Sequence, residues 1–239
     1  DYKSKGEQFF NQLPVPNFWR APTDNDFGNN MQAESNVWRT AGKFTKLSAF
    51  EINEVSGKTS VVATLFLRDV TSTVIIVYSM NADGSLEISN SFKAGNNPLS
   101  EMPRFGMIFS LKKELDNFNF YGRGPWENYQ DRNTASFKGI YSSKVADQYV
   151  PYTRPQENGY KTDVRWLTLT NNSGNGIEIN GLQPLSVSAL HNYPEDFDPG
   201  LTKKYRHLND ITPRNEVIVC VDLAQRGVGG DNSWGAPPH

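Results

Sequence analysis

Cysteine, histidine and long apolar runs are what this sequence has least of. Cys220 is the single cysteine, so no intrachain disulfide can form, and that is neutral about compartment. The three histidines are His191, His207 and His239. None stands at metal-ligand spacing from another histidine or from Cys220, so no protein metal cage is expected. No run approaches the ~18 apolar residues of a membrane-crossing helix. The net charge is −2, without the clustered basic excess that a nucleic-acid surface needs. Long amphipathic helices are missing too, and parallel βαβ units are excluded with them.

What is present suits many short strands joined by turns. The 239 residues include 19 Gly and 14 Pro, with 37% hydrophobic and 12% aromatic content. That length fits one large all-β domain or two small ones. Thr59–Leu67 and Thr73–Met80 are β-branched and apolar, as buried strands are. Ser85–Phe92 alternates, and Asn81-Ala-Asp-Gly84 reads as the hairpin turn before it. Further strands are expected at Arg104–Leu111, Phe118–Tyr121, Val164–Thr170, Gly176–Asn180 and Glu216–Leu223, with a second hairpin turn at Asn171–Asn175. The recurrence is roughly every 8–12 residues, the spacing of sandwiches and barrels. One short helix is expected near residues 35–41, stopped by Gly42, with Val37 and Trp38 packed on a sheet. With no repeat, low-complexity tract or linker in view, residues 1–239 read as a single domain.

The stretch from Asn17 to Gly28 (Asn-Phe-Trp-Arg-Ala-Pro-Thr-Asp-Asn-Asp-Phe-Gly) organises the rest. Two aromatics anchor it, Pro22 forces extended backbone on Ala21, and the Thr-Asp-Asn-Asp run favours turns. Gly28 closes it with freedom to take positive φ. This describes an acidic loop on a rigid base, serving either as a binding loop or as a turn that caps a strand.

The stretch resembles the start of the small, C-terminal β-domain of the large β-galactosidases of glycoside hydrolase family two. Three more stretches agree in the same order: Tyr121–Arg132, Pro151–Gly159 and Gly227–Trp234. Together the four motifs cover nearly the whole chain. The resemblance implies a large antiparallel β-supersandwich similar to galactose mutarotase, which periodicity alone does not give. It also implies a polypeptide that hydrolyses terminal β-D-galactosides with retention, through glutamates on a TIM barrel outside this chain. No catalytic residue is then expected here, and the isolated chain is expected to be inactive. Any Mg or Na would be held by other domains, with no cofactor in this one. The implied partners are the β-galactoside, the barrel and the other domains of the same polypeptide.

Two places in the family's small domain reach the active site. Gly28 matches the hinge of a loop that closes over sugar, and Asn25 and Asp26 precede it. Trp234 matches a residue that stacks on sugar in the aglycone-side subsite. An indole face suits the apolar C–H face of a hexose. Trp234, Gly28, Asp26 and Asn25 are therefore the candidate substrate-binding residues. Members of the family run on past the stacking tryptophan, so the resemblance predicts truncation at the C-terminus and by about one strand at the N-terminus. An unpaired sheet edge there would invite association of copies.

Other carboxylates stay in view. Retaining hydrolysis needs two carboxylates about 5 Å apart. Glu127 and Glu157 sit in aromatic, Arg-containing motifs, where Arg123, Arg132 and Arg154 are expected to pair with them and lock loops. His191 with Glu157 would suit an aldose-epimerase-like enzyme on the same architecture. The same residues are also compatible with a free-standing carbohydrate-binding module and with a purely structural scaffold. The aromatics Trp126, Tyr129, Tyr149, Tyr152 and Tyr160 would line a groove or fill a core. Any export signal would lie upstream, so cytoplasm and periplasm both stay open.

Overall fold

The computed structural model describes residues 7–55, 57–204, 206–230 and 238. In chain order the strands are β1 (Phe10–Asn17), β2 (Thr45–Val55), β3 (Lys58–Leu67), β4 (Ser72–Met80), β5 (Leu86–Lys93), β6 (Arg104–Lys112), β7 (Asn117–Gly124), β8 (Phe137–Lys144), β9 (Lys161–Thr170), β10 (Gly176–Leu190) and β11 (Glu216–Gln225). Short helical turns are α1 (Asp24–Asn29), α2 (Met31–Glu34), α3 (Trp38–Ala41) and α4 (Pro194–Phe197). The class is all-β and antiparallel, as the strand spacing predicts.

The chain forms two compact units, one of residues 1–36 and 102–239 and one of residues 37–101. The larger holds a seven-stranded sheet in the order β1-β6-β11-β10-β9-β7-β8. Its core is an apolar layer in which Phe109, Leu111, Val217, Val219, Val187, Leu167, Leu169, Phe118 and Phe120 are all buried. Pro14 and Pro16 fall in β1, an edge strand whose register to β6 shifts twice. Proline cannot donate to a ladder, so an edge with bulges is where it fits.

The smaller unit is a four-stranded meander, β2-β3-β4-β5. The hairpin expected at Asn81–Gly84 joins β4 to β5, with Gly84 at φ 84° and its N–H donating to the Asn81 carbonyl at 3.0 Å. The Asn171–Asn175 turn joins β9 to β10 in the same way, with Gly174 at φ 81°. The helix expected near 35–41 is α3, capped by Gly42. Trp38 is buried and meets Phe92 edge-on at 5.8 Å, while its indole N–H donates to the Ser100 carbonyl.

The Thr-Asp-Asn-Asp run is helical, not an irregular turn. Thr23 caps α1, and its hydroxyl accepts from the Asp26 N–H while the Asp26 carboxylate accepts from the Thr23 N–H. This reciprocal pair satisfies two orphan donors, which favours a helix start over a turn. Gly28 consequently lies inside α1, and the left-handed residue is Asn30 at φ 66°. Strands β2 and β8 have no strong signature in the sequence, and β1 shows there only as its first aromatics.

Candidate functional site

Three of the four motifs, and the first residues of the fourth, converge in the larger unit. Arg20 and Asp26 are both fully buried and form a two-pronged ion pair at 2.6 and 3.0 Å. Thr23 donates to the same carboxylate from its N–H at 2.7 Å and from its hydroxyl at 3.0 Å. Arg226 adds a second cation at 3.7 Å. Such a pair offsets its desolvation only because nearly every lone pair is used. The Asp26 carboxylate is thus committed to holding α1.

The same motif grips the start of the fourth. Arg20 donates to the Gly227 carbonyl at 3.1 Å, and the Asn25 amide donates to the Val228 carbonyl at 3.0 Å. From the second motif, Asp131 accepts the N–H groups of Val228 at 3.0 Å and Gly229 at 2.8 Å. A Cβ at position 227 would collide with the Asp131 carboxylate, so glycine is required there. Four side-chain contacts from two motifs therefore set the backbone of Gly227–Gly229. Asp24, half-exposed at the front of α1, pairs with Arg154 at 3.0 Å and Lys203 at 3.2 Å.

Glu127 is a second anchor. Its carboxylate accepts from Arg132 at 2.7 Å, from the Gly159 N–H at 2.8 Å and from the Tyr152 hydroxyl. Beside it Tyr129 and Tyr160 stack at 5.6 Å, and the Arg132 guanidinium lies over Tyr129 at 5.1 Å. Tyr129 and Tyr160 are core, whereas Trp126 is exposed. Lys161 is buried, its ammonium donating to the Gly159 carbonyl at 3.1 Å. Burial draws its pKa down to about 8, against the opposing pull of Glu127.

A third centre gathers around Arg104, which is buried. It pairs with Glu157 at 2.9 Å and Asp222 at 3.1 Å, and also donates to the Gln225 side chain. Tyr160 donates its hydroxyl to Asp222 at 2.9 Å. Burial pushes the Asp222 carboxyl up to about 7, with Arg104 pulling the other way. Gly106 lies opposite Asp222 in the β6–β11 ladder, where a Cβ would meet that carboxylate. The concavity beside Arg104, Glu157, Ser188, Asn192 and Cys220 holds about 10 Å³, room for no more than one water. Burial pushes the Cys220 thiol up to about 12, which leaves it inert.

These contacts revise the expected pairings. Arg132 does lock Glu127, but Glu157 belongs to Arg104. Arg123 pairs with Asp163 at 2.7 Å, and Arg154 with Asp24. His191 does not bond Glu157. Its ring nitrogens meet the Glu216 carbonyl at 2.8 Å and Asp116 at 3.3 Å, so the epimerase-like couple is not assembled. Of the candidate sugar-binding residues, Asp26 is buried, Asn25 is half-buried on Val228, and Gly28 is exposed in α1. Trp234 lies outside the described residues. Sequence reasoning misses Arg20, Arg104 and Asp222 as organisers. The one signal for them is a carboxylate in an otherwise apolar strand, since Asp222 directly follows Val217–Val221.

Comparison with known proteins adds a family to this geometry. A family model described as "Beta galactosidase small chain" matches residues 1–239. A β-galactosidase of Priestia megaterium is 36% identical over 224 residues, covering 94% of this chain and 21% of that protein. β-Galactosidases of Halalkalibacterium halodurans and Lactobacillus delbrueckii subsp. bulgaricus are each 33% identical, covering 98% and 99% of this chain and 23% of each relative. The chain thus spans between a fifth and a quarter of the length of the relatives it matches.

Proposed function

The chain belongs to the β-galactosidase small-chain family, and from that premise we propose that it is the β-domain that completes the active site of a longer galactosidase. The whole polypeptide would hydrolyse terminal β-D-galactosides with retention, using glutamates held outside these 239 residues. This domain would offer Trp234 to the aglycone-side sugar and border it with the Asn25–Gly28 helix.

One observation carries the reading. The backbone of Gly227–Gly229, a few residues before Trp234, is held by Arg20, Asn25 and Asp131 from two other motifs. Fixing a segment this heavily makes sense where the next residues must be aimed, because a subsite needs its contacts placed before the ligand arrives. The carboxylates of the same region are spent on arginines, hydroxyls and backbone N–H groups, which suits support better than proton transfer.

The test has two arms. The 239-residue chain alone is expected to leave a chromogenic galactoside intact, and robust hydrolysis by clean protein would refute the proposal. In the full-length polypeptide, Trp234→Ala is expected to raise KM about tenfold, the loss of one aromatic stacking contact. An unchanged KM would remove Trp234 from the subsite.

A further inference from the structure

Arg104 lies outside all four motifs, yet its guanidinium gathers the parts of the chain that carry them. It is the first residue of β6 and pairs with Gln225, the last residue of β11, where the chain leaves the sheet for Gly227. Every guanidinium nitrogen is used. Nε donates to the Gln225 side-chain oxygen at 2.9 Å and lies 3.1 Å from the Asp222 carboxylate. Nη2 donates to Glu157 of the third motif at 2.9 Å and to the same Gln225 oxygen. Nη1 donates to the Trp19 carbonyl of the first motif at 3.5 Å and to the Cys220 sulfur at 3.4 Å. The guanidinium also lies over Tyr160, 5.5 Å from the ring centroid, and Tyr160 stacks on Tyr129 of the second motif.

A bulge makes this convergence possible. The β6–β11 register shifts between Asp222 and Ala224, so Asp222 and Gln225, three residues apart, both reach Arg104. The backbone is held alongside, because the Pro103 carbonyl accepts the Arg226 N–H at 2.8 Å. The exit of β11 is thus fixed before Arg20, Asn25 and Asp131 take over at Gly227–Gly229. A lysine would bring a single nitrogen to this place, whereas a guanidinium presents a planar fork to several acceptors at once.

We propose that Arg104 is a positioning residue for the sugar subsite: by holding Gln225 against the first and third motifs, it sets the direction in which the chain runs on toward Trp234. Arg104 is 1% exposed and acts through Gln225, not on the sugar. The inference rests on the reading of Trp234 as a sugar contact and extends that reading to a residue far from it in sequence.

Steady-state kinetics of the full-length polypeptide on a chromogenic β-galactoside test it, with melting temperatures measured alongside. Arg104→Lys keeps the buried charge but not the fork, and Gln225→Leu removes only the acceptor at the strand end. Each is made alone and together with Trp234→Ala. Both single variants are expected to raise KM several-fold with kcat nearly unchanged, and the rise is expected to vanish once Trp234 is alanine. If Trp234→Ala raises KM while both variants leave it unchanged, Arg104 does not position the subsite, although Trp234 still belongs to it. A KM rise that persists beside Trp234→Ala, or a loss of kcat that tracks the melting temperature, would also overturn the proposal. If Trp234→Ala itself leaves KM unchanged, the sugar-contact reading fails and this inference falls with it. Where the two variants differ, or Arg104→Lys does not fold, Gln225→Leu decides.

Discussion

The two units spend their side chains differently. In the larger one, polar and charged groups are buried in matched sets: Arg20 with Asp26, Arg104 with Glu157 and Asp222, and Asp131 with two backbone N–H groups. In the smaller one Lys58–Glu87 is an ion pair at the surface, and apolar side chains of β2 are left exposed. Three motifs and the described start of the fourth lie in the larger unit, and none lies in the smaller. Buried charge fixes geometry at high cost, because each member needs its partners. Exposed apolar surface fixes nothing by itself and gains stability only when covered. The larger unit is therefore built to hold loops in place, while the smaller leaves apolar side chains of β2 exposed.

That contrast can be pressed hardest at Asp26. Asp26→Ala leaves Arg20 buried without its counter-charge, and such losses cost about 3–5 kcal/mol. Urea denaturation of the chain should show it as a large fall in midpoint. A loss below ~1 kcal/mol would mean that water reaches Arg20 and that the pair is no lock.

A pair of matched truncations sharpens the same comparison. Phe120 in the seven-stranded core is 1% exposed, whereas Phe50 on β2 is 55% exposed. Phe120→Ala should cost about 3–5 kcal/mol through lost burial and a cavity. Phe50→Ala in the isolated chain should stay within about 1 kcal/mol, since more than half of its surface is already in water. Equal costs would erase the distinction between the two units.

A smaller effect concerns Lys161. Its pKa in the folded chain is about 8, below the ordinary 10.5. Between those values the unfolded chain binds more protons than the folded one, so stability must rise as pH rises through that window. Below about pH 8 the ammonium is charged in both states and the burial cost is fully present. Urea midpoints at about pH 8 and about pH 10 should show the rise, and Lys161→Met should flatten it. A rise that survives in Lys161→Met would assign it to another group.

Much of the fold is legible in the sequence, for identifiable reasons. Strands with strong β-branched or alternating patterns, such as β3, β4, β5 and β11, announce themselves, and the glycine turns at Gly84 and Gly174 join their neighbours as expected. β2 stays hidden because its apolar residues are broken by the register shift at Ser48, which destroys simple alternation. β8 stays hidden because Phe137–Lys144 is an edge strand, polar and small along most of its length. The α1 helix escapes because Asp26 weighs as a turn former on local composition, and its reciprocal bonding with Thr23 shows only in three dimensions. Motif order locates the candidate site, but side-chain partners are beyond it. Glu157 sits three residues from Arg154 in sequence, yet it bonds Arg104, which the β-sheet brings from 53 residues away. Long-range pairings are set by strand topology, and local composition carries no information about them.

The most direct measurement is a double-mutant cycle on Asp131→Asn and Trp234→Ala in the full-length polypeptide, read as KM and kcat for a β-galactoside together with the melting temperature. On the proposed function Asp131 acts as a positioning residue. It holds the Gly227–Gly229 backbone, and its carboxylate contacts are worth about 1.5–3 kcal/mol there. Asp131→Asn is predicted to raise KM well beyond any change in kcat, and the effect should largely disappear when Trp234 is already alanine. Additive effects on KM, or a loss of kcat that merely tracks the melting temperature, would contradict the placement of Trp234 by this backbone.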